Sequence, residues 1–352
     1  MNGSAGANGS TGAAGAQGST GAQGPAGATG PTGPKGGPAY ARTIVVSPGG
    51  DAVANGTALL AAVASIKDSS TTNPYLVQIE PGTYDLNSQT LSISDGIDVA
   101  GSGQDATTIL TTVSVKVGNV EVRELTLRGS GPIMESLNPT PTPIALRNVT
   151  VAMTGASSVG LIFTGSVTLD GLTITGSGED IGVTVAGVVA FDAHNLTVDL
   201  NCAAGKNCTG VAIGSGVMAT VRESTIDIRG GAVVYGMKIQ DSSATLQNVA
   251  VTVQSANGKG GGAIFGEAGR SSPGAPGEII DISGSTLLSI FDSAGSFVND
   301  SGGNLIVQIA DTQLAGPVLD LTKPGAGPVT LRCVGDYDAN YAAVPDTCKG
   351  GA

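Results

Sequence analysis

Asp199 and Asp227 are the residues of this chain whose type and spacing come nearest to doing chemistry. Each stands two positions after a Thr, in Thr197-Val198-Asp199 and Thr225-Ile226-Asp227. If those segments are equivalent strands of stacked coils, the two Cα atoms lie roughly 5 Å apart on one outward face. Carboxylates that close could share a proton, bind a hard cation such as calcium, or act as an acid and nucleophile pair. The plainer alternative is two solvated aspartates on a polar face, where stacked like charges cost energy unless screened.

Other candidates are weaker. His194, the single histidine, sits in Ala193-His194-Asn195 just before a strand, where a turn or surface role is the ordinary one. Residues 256–278 form a Gly/Pro-rich insertion with Lys259, Glu267 and Arg270 as charged groups, and long loops of this kind often carry function. Sugar clefts usually offer stacking aromatics. Here there are six Tyr, five Phe and no Trp, and Phe163, Phe191 and Phe291 fit interior columns. No resident cofactor is expected, with calcium at Asp199 and Asp227 the one option.

Four cysteines allow three disulfide connectivities. Closing the short local loops, Cys202 to Cys208 and Cys333 to Cys348, is entropically the simplest. Free structural thiols are the alternative. Zinc needs tighter Cys spacing and usually His, and neither pair fits. Disulfides imply an oxidising compartment.

The elements that position these residues follow from a repeat. Its clearest members are Glu124-Leu125-Thr126-Leu127, Asn148-Val149-Thr150-Val151, Gly171-Leu172-Thr173-Ile174 and Asn195-Leu196-Thr197-Val198. Weaker copies are Glu223-Ser224-Thr225-Ile226, Asn248-Val249-Ala250-Val251, Ser285-Thr286-Leu287 and Asp311-Thr312-Gln313. Successive Thr positions differ by 24, 23, 24 and 28 residues. That period, with alternating apolar residues and no helical stripe, predicts a β-solenoid. Leu125, Val149, Leu172, Leu196 and Val249 form one inward column. Leu127, Val151, Ile174, Val198, Ile226 and Val251 form the next. The Thr residues between them face outward as a ladder.

Before the repeat, residues 57–66 carry Leu59, Leu60, Val63 and Ile66 at helical spacing, which predicts a short helix over one end of the solenoid. The Cys333–Cys348 loop is expected to cover the other end, blunting an open strand edge. The head thus spans residues 39–352, with an N-terminal cap near 43–70, coils near 75–330 and a C-terminal disulfide cap at 331–352.

Residues 1–38 differ in kind. Gly occupies every third position from Gly3 to Gly36 without a miss. Only Gly fits at the axis of three polyproline-type chains, so this predicts a collagen-like triple helix, roughly 100 Å long, and hence a homotrimer. A flexible linker explains the composition but not the strict period. Prolines are few and late (Pro25, Pro31, Pro34, Pro38), so the stalk is expected to be marginal and to need its neighbour for nucleation.

Composition bounds the partners. Charged residues are 12% of the chain, against about 25% in an average protein. Ser, Thr, Asn and Gly must therefore cover the surface. The net charge of −12 repels nucleic acid and anionic lipid. No run of 18 apolar residues predicts membrane insertion. No signal peptide is legible, since the Gly repeat begins at Gly3, so export by another route or a trimmed leader is expected.

Residues 44–110 resemble the opening of the pectin-lyase-like β-helix superfamily, especially pectinesterases. The resemblance rests on Ile44-Val45-Val46, the short helix, Ile79-Glu80-Pro81-Gly82-Thr83-Tyr84, Gly101-Ser102-Gly103 and Thr108-Ile109. It implies an all-β, right-handed parallel β-helix. The stretch from Cys333-Val334-Gly335-Asp336-Tyr337-Asp338 to Cys348 looks like the end of bacterial β-helix proteins without assigned activity. The catalytic motifs of the family are missing. Pectinesterases use two Asp, a Gln pair, an Arg and a nearby Trp, and neither Gly-x-x-Asp-Phe-Ile-Phe-Gly nor Leu-Gly-Arg-Pro-Trp has a counterpart here. The Asn-Thr-Asp, Asp-Asp, Gly-His-Gly and Arg-Ile-Lys motifs of polygalacturonase-like enzymes are absent too.

Three functions remain in view. The first is a non-enzymatic bacterial surface or appendage protein, a trimeric stalk presenting a structural or adhesive head. The second is a phage tail-type fibre that binds or depolymerises a surface glycan. The third is a diverged carbohydrate esterase or polysaccharide lyase. An extracellular or cell-surface location is expected for the first, and the phage particle for the second.

Overall fold

The computed structural model describes residues 40–338 except 112–114, 137–142, 188, 257–260, 269–277, 291–292, 300–303, 317 and 321–326. It also describes residues 340, 342–346 and 348, and residues 3, 4, 6, 8–10 and 12 near the start. The chain divides into two units, Met1–Pro38 and Ala39–Ala352. Most of the Gly-X-Y segment, with Lys259, Arg270 and Phe291, lies outside the described residues.

The second unit is a right-handed parallel β-solenoid of about nine turns. Its described strands form one sheet of nineteen and one of ten, with parallel pairing between coils. The larger sheet is creased along a column of residues with left-handed backbone. Glu124, Asn148, Asn195, Glu223, Asn248 and Asp311 have φ between 49° and 55°, and Gly171, Gly284 and Gly335 continue the column. Asn and Gly tolerate this conformation best, which is why they recur at the corner. Each crease turns the chain, so the coil has three faces. We call the strands before the crease sheet one, those after it sheet two, and the ten-stranded sheet sheet three.

The repeat sets the register. Thr126 stands beside Thr150, Thr150 beside Thr173, Thr173 beside Thr197, and Thr197 beside Thr225. The ladder continues through Ala250, Thr286 and Gln313. Both expected apolar columns are fully buried, and Ser224 fills the place between Leu196 and Val249. Its hydroxyl accepts from Leu196 N–H at 3.1 Å and donates to Arg222 C=O at 2.6 Å, so a buried polar group is satisfied within the stack.

Sheet three has a tighter interior. Gly160, Gly182, Gly210 and Gly236 stack inward, where a Cβ at any of the first three would meet the carbonyl oxygen of the next glycine at 2.5–2.6 Å. The coils approach each other there by backbone alone.

The helix spans Ala52–Ser65 and starts earlier than its apolar spacing indicates. Asp51 caps it, its side chain accepting from Ala54 N–H at 2.8 Å. Asn55 accepts from Gly49 and Gly50 N–H and donates to Thr83 C=O. Gly56 lets the helix backbone rest on Asp85. Asn55-Gly56 thus docks the first helical turn. Leu59 and Val63 are buried against the coil. Arg42–Val46 already pairs with Tyr75–Ile79, so the first rung precedes the helix.

Both local disulfides form, Cys202–Cys208 and Cys333–Cys348. Cys333 extends the inward column under Ile309. Val344 and Cys348 fold back into the core, and Cys333 N–H donates to Asp346 C=O at 3.0 Å. Buried Asp336 accepts from Thr312 and Val334 N–H, which closes the last coil.

Candidate functional site

Asp199 and Asp227 are direct partners in neighbouring coils of sheet two. Between them lies Arg229, which spacing from the repeat Thr did not single out. Its guanidinium pairs with Asp199 Oδ1 through Nη2 and with Asp227 Oδ2 at 3.2 Å through Nη1. Burial raises the Asp227 pKa, opposed by Arg229 and reinforced by Asp199. One oxygen, Asp227 Oδ1, is buried without a hydrogen-bond partner. The constellation is thus two carboxylates clamped by one cation. Arg229 supplies the neutralisation that a calcium ion or a shared proton would otherwise bring. Among the described residues, no group of three or more His, Cys, Asp or Glu is placed to hold a metal.

His194 belongs to sheet one. Its Nδ1 lies 3.2 Å from Asp170 Oδ1 in the preceding coil and 3.2 Å from Asn195 Nδ2. Arg147, Asp170, His194 and Arg222 are consecutive in one outward column. Arg222 also pairs with Asp192 at 3.2 Å. These are exposed pairs, each of which stabilises by about 1 kcal/mol or less.

Of the insertion, Glu267 is described. Its carboxylate accepts from Gln240 Nε2 at 2.6 Å. At the far end of the insertion, burial and the nearby Asp241 push the Glu278 pKa up to about 7. The folded state then holds a proton that the unfolded chain releases near pH 4.5. The stability this contributes is complete below that value and is lost as pH rises through about 7. Burial moves Asp180, Asp227 and Asp336 in the same direction. The head is therefore expected to melt higher at pH 5 than at pH 8. Glu278→Gln should flatten that profile, removing up to about 3 kcal/mol of pH dependence. Thermal melts across that range check it.

Asp180 is fully buried, with Oδ2 accepting from Gly178 N–H at 2.6 Å and Oδ1 unpartnered. It stacks beside Cys208, which receives its N–H at 3.4 Å. Enclosed in this way, it has no route to a substrate.

Sheet three holds residues that the Thr-based reading passed over. Tyr235 and Phe265 face outward from neighbouring coils, ring centroids 5.2 Å apart and tilted by 52°. Lys238 Nζ lies 5.7 Å from the Phe265 centroid. Val234, Met237 and Ile239 point inward, but the adjacent buried pair Gly236-Met237 interrupts the alternation that would have marked Tyr235.

No protein-family model and no curated protein matches the chain. Solved structures do. Pectin methylesterase PemA from Erwinia chrysanthemi is 10% identical, with a TM-score of 0.38, over 88% of this chain and 92% of that one. The A-module of the Azotobacter vinelandii mannuronan C-5 epimerase AlgE4 is 14% identical, with a TM-score of 0.41, over 82% and 92%. ORF18 of Geobacillus virus E2 is 12% identical, with a TM-score of 0.30, over 84% and 60%. The likeness is one of coil architecture.

Proposed function

We propose that the protein is a non-enzymatic extracellular structural protein, in which a three-chain collagen-like stalk presents the β-helix head. The observation that carries this reading is the unbroken Gly period of residues 3–36, which has no use in a single chain. Arg229 supports it from the other side. A guanidinium paired with one oxygen of Asp199 and one of Asp227 offsets their negative charge and repels an incoming cation.

The test combines mass and activity. Light scattering of the intact chain at micromolar concentration is expected to give a trimer. Pectin, polygalacturonate and acetylated glycans are expected to yield no reducing ends, released acid or unsaturated product, with or without millimolar calcium. Turnover lost on Asp199→Asn or Asp227→Asn would replace this reading with the diverged-enzyme one. Arg229→Met should create calcium affinity at the carboxylate pair if Arg229 plays the cation's part. Calcium binding by the unaltered pair would show that it does not.

A second reading, a fibre that binds a surface glycan, is favoured by Tyr235 and Phe265. Outward rings beside a lysine offer the apolar and polar contacts a sugar uses. Glycan arrays with Tyr235→Ala and Phe265→Ala test it.

A further inference from the structure

We propose that a cleft beside the first strand of sheet three binds a short peptide that carries both of its free termini.

The cleft encloses about 620 Å³, within the range of small-molecule sites. Residues 66–69, just past the helix, form one wall, and residues 92–95 form the other with Gly118. Both walls are fixed in advance. On the first, Asp68 Oδ1 accepts from the Tyr75 hydroxyl at 2.6 Å, and Asp68 C=O accepts from Asn73 Nδ2 at 2.8 Å. On the second, Asp95 Oδ1 accepts from Asn119 N–H at 2.7 Å. A Cβ at Gly118 would lie 2.0 Å from that same oxygen, so the glycine makes room for the carboxylate. Walls held in this way lose little freedom when a ligand enters.

The charges of the cleft are Lys67 and Asp95, both exposed. Elsewhere on the head Lys116, Arg123, Arg147, Lys206, Arg222 and Arg229 pair with carboxylates. Lys116, in register beside Ser92, is thereby matched with Glu135. Lys67 and Asp95 make no ion pair among the described residues. A cation and an anion left apart in one cleft suit a ligand bearing the complementary pair, its carboxylate toward Lys67 and its ammonium toward Asp95.

The remaining lining selects a peptide over a bare zwitterion. Ser92–Ile93 is the end strand of sheet three and pairs only with Val115–Val117. Its other edge offers main-chain groups of the kind to which extended peptides add. The hydroxyls of Ser69, Ser92 and Ser94 make no side-chain hydrogen bond among the described residues and can serve further peptide groups. Ile66 and Ile93, both buried, floor the cleft with apolar surface for a ligand side chain.

Calorimetric titration of the full chain with Gly-Leu and Gly-Leu-Gly tests this. At least one of them should bind saturably in the millimolar range, one peptide per head. Acetylating its amine or amidating its carboxylate should each weaken binding by roughly tenfold or more. Lys67→Met should bring the free acid down to the level of the amide and leave the amide unchanged. Asp95→Asn should do the same for the free and acetylated amines, while Lys67→Arg should retain binding. A merely structural role for these residues would shift all the peptides alike. Circular dichroism confirms that each variant is folded. Hydrogen exchange of the unaltered protein gives a variant-free readout, with the bound peptide slowing residues 66–69 and 92–95. No binding of either peptide, binding indifferent to capping of its termini, protection confined to other coils, or a charge preference that survives both Lys67→Met and Asp95→Asn would overturn the proposal.

Discussion

Gly210→Val is expected to abolish folding of the head. At Gly210 a Cβ would lie 2.6 Å from Gly236 O and 2.7 Å from Ile226 Cγ2. Neither neighbour can yield cheaply. The carbonyl belongs to a strand pinned by its own parallel ladder, and Ile226 is a buried member of the sheet-two column. Overpacking a core costs about 1–3 kcal/mol where side chains can move. Here the obstacle is backbone on one side, so the loss should reach about 4 kcal/mol or more, at the extreme of single substitutions. Circular dichroism melts should show no cooperative transition, or one displaced far downward. Thr150→Val, outward on sheet two, should leave the transition nearly unmoved. A near-native melt for Gly210→Val would mean that the coils of sheet three can spread apart.

Opening the Cys333–Cys348 bridge should have the next largest effect. Its loop spans a sequence separation of 15, against 6 for Cys202–Cys208. Loop-closure entropy gives about 3 kcal/mol for the first and about 2 kcal/mol for the second. The difference should be larger in practice. All four cysteines are core residues, but the segment between Cys333 and Cys348 also brings Val344 over the last coil. A Cys333→Ser, Cys348→Ser double variant should expose that end, speeding amide exchange first in Leu305–Ala310 and Val329–Val334. Uniform exchange along the head would contradict a capping role. The Cys202→Ser, Cys208→Ser variant should lose less and lose it locally.

The apolar columns, the Thr ladder and the disulfide partners were legible in the residues, because stacking repeats the same physical demand every coil. Ser224 interrupted the pattern without breaking it, since its hydroxyl serves the backbone above. Other features were hidden for specific reasons. Asn148 and Asn195 read as strand starts, yet their left-handed backbone is the corner itself. The helix start was concealed by Asn55-Gly56, whose composition says bend and whose contacts say docking. Arg229 sits four positions past its repeat Thr, outside the two-residue offset that picked out the aspartates. Sheet three has no Thr marker, and its Gly-rich rows conceal the alternation that turns Tyr235 and Phe265 outward.

Because the described strands of each coil pair only with those of the coil before and the coil after it, the strand ladder sets no fixed length for the head. Removing the 23 residues from Asn148 to Asp170, from one corner up to the next, would bring Gly171 beside Glu124 with every column still aligned. The same holds for duplicating a coil. Lineages could thus lengthen or shorten this rod by whole turns while both end caps and all the remaining registers stay as they are. Related chains are expected to differ by insertions and deletions of near 24 residues, and a chain shortened in this way should still melt as one cooperative unit.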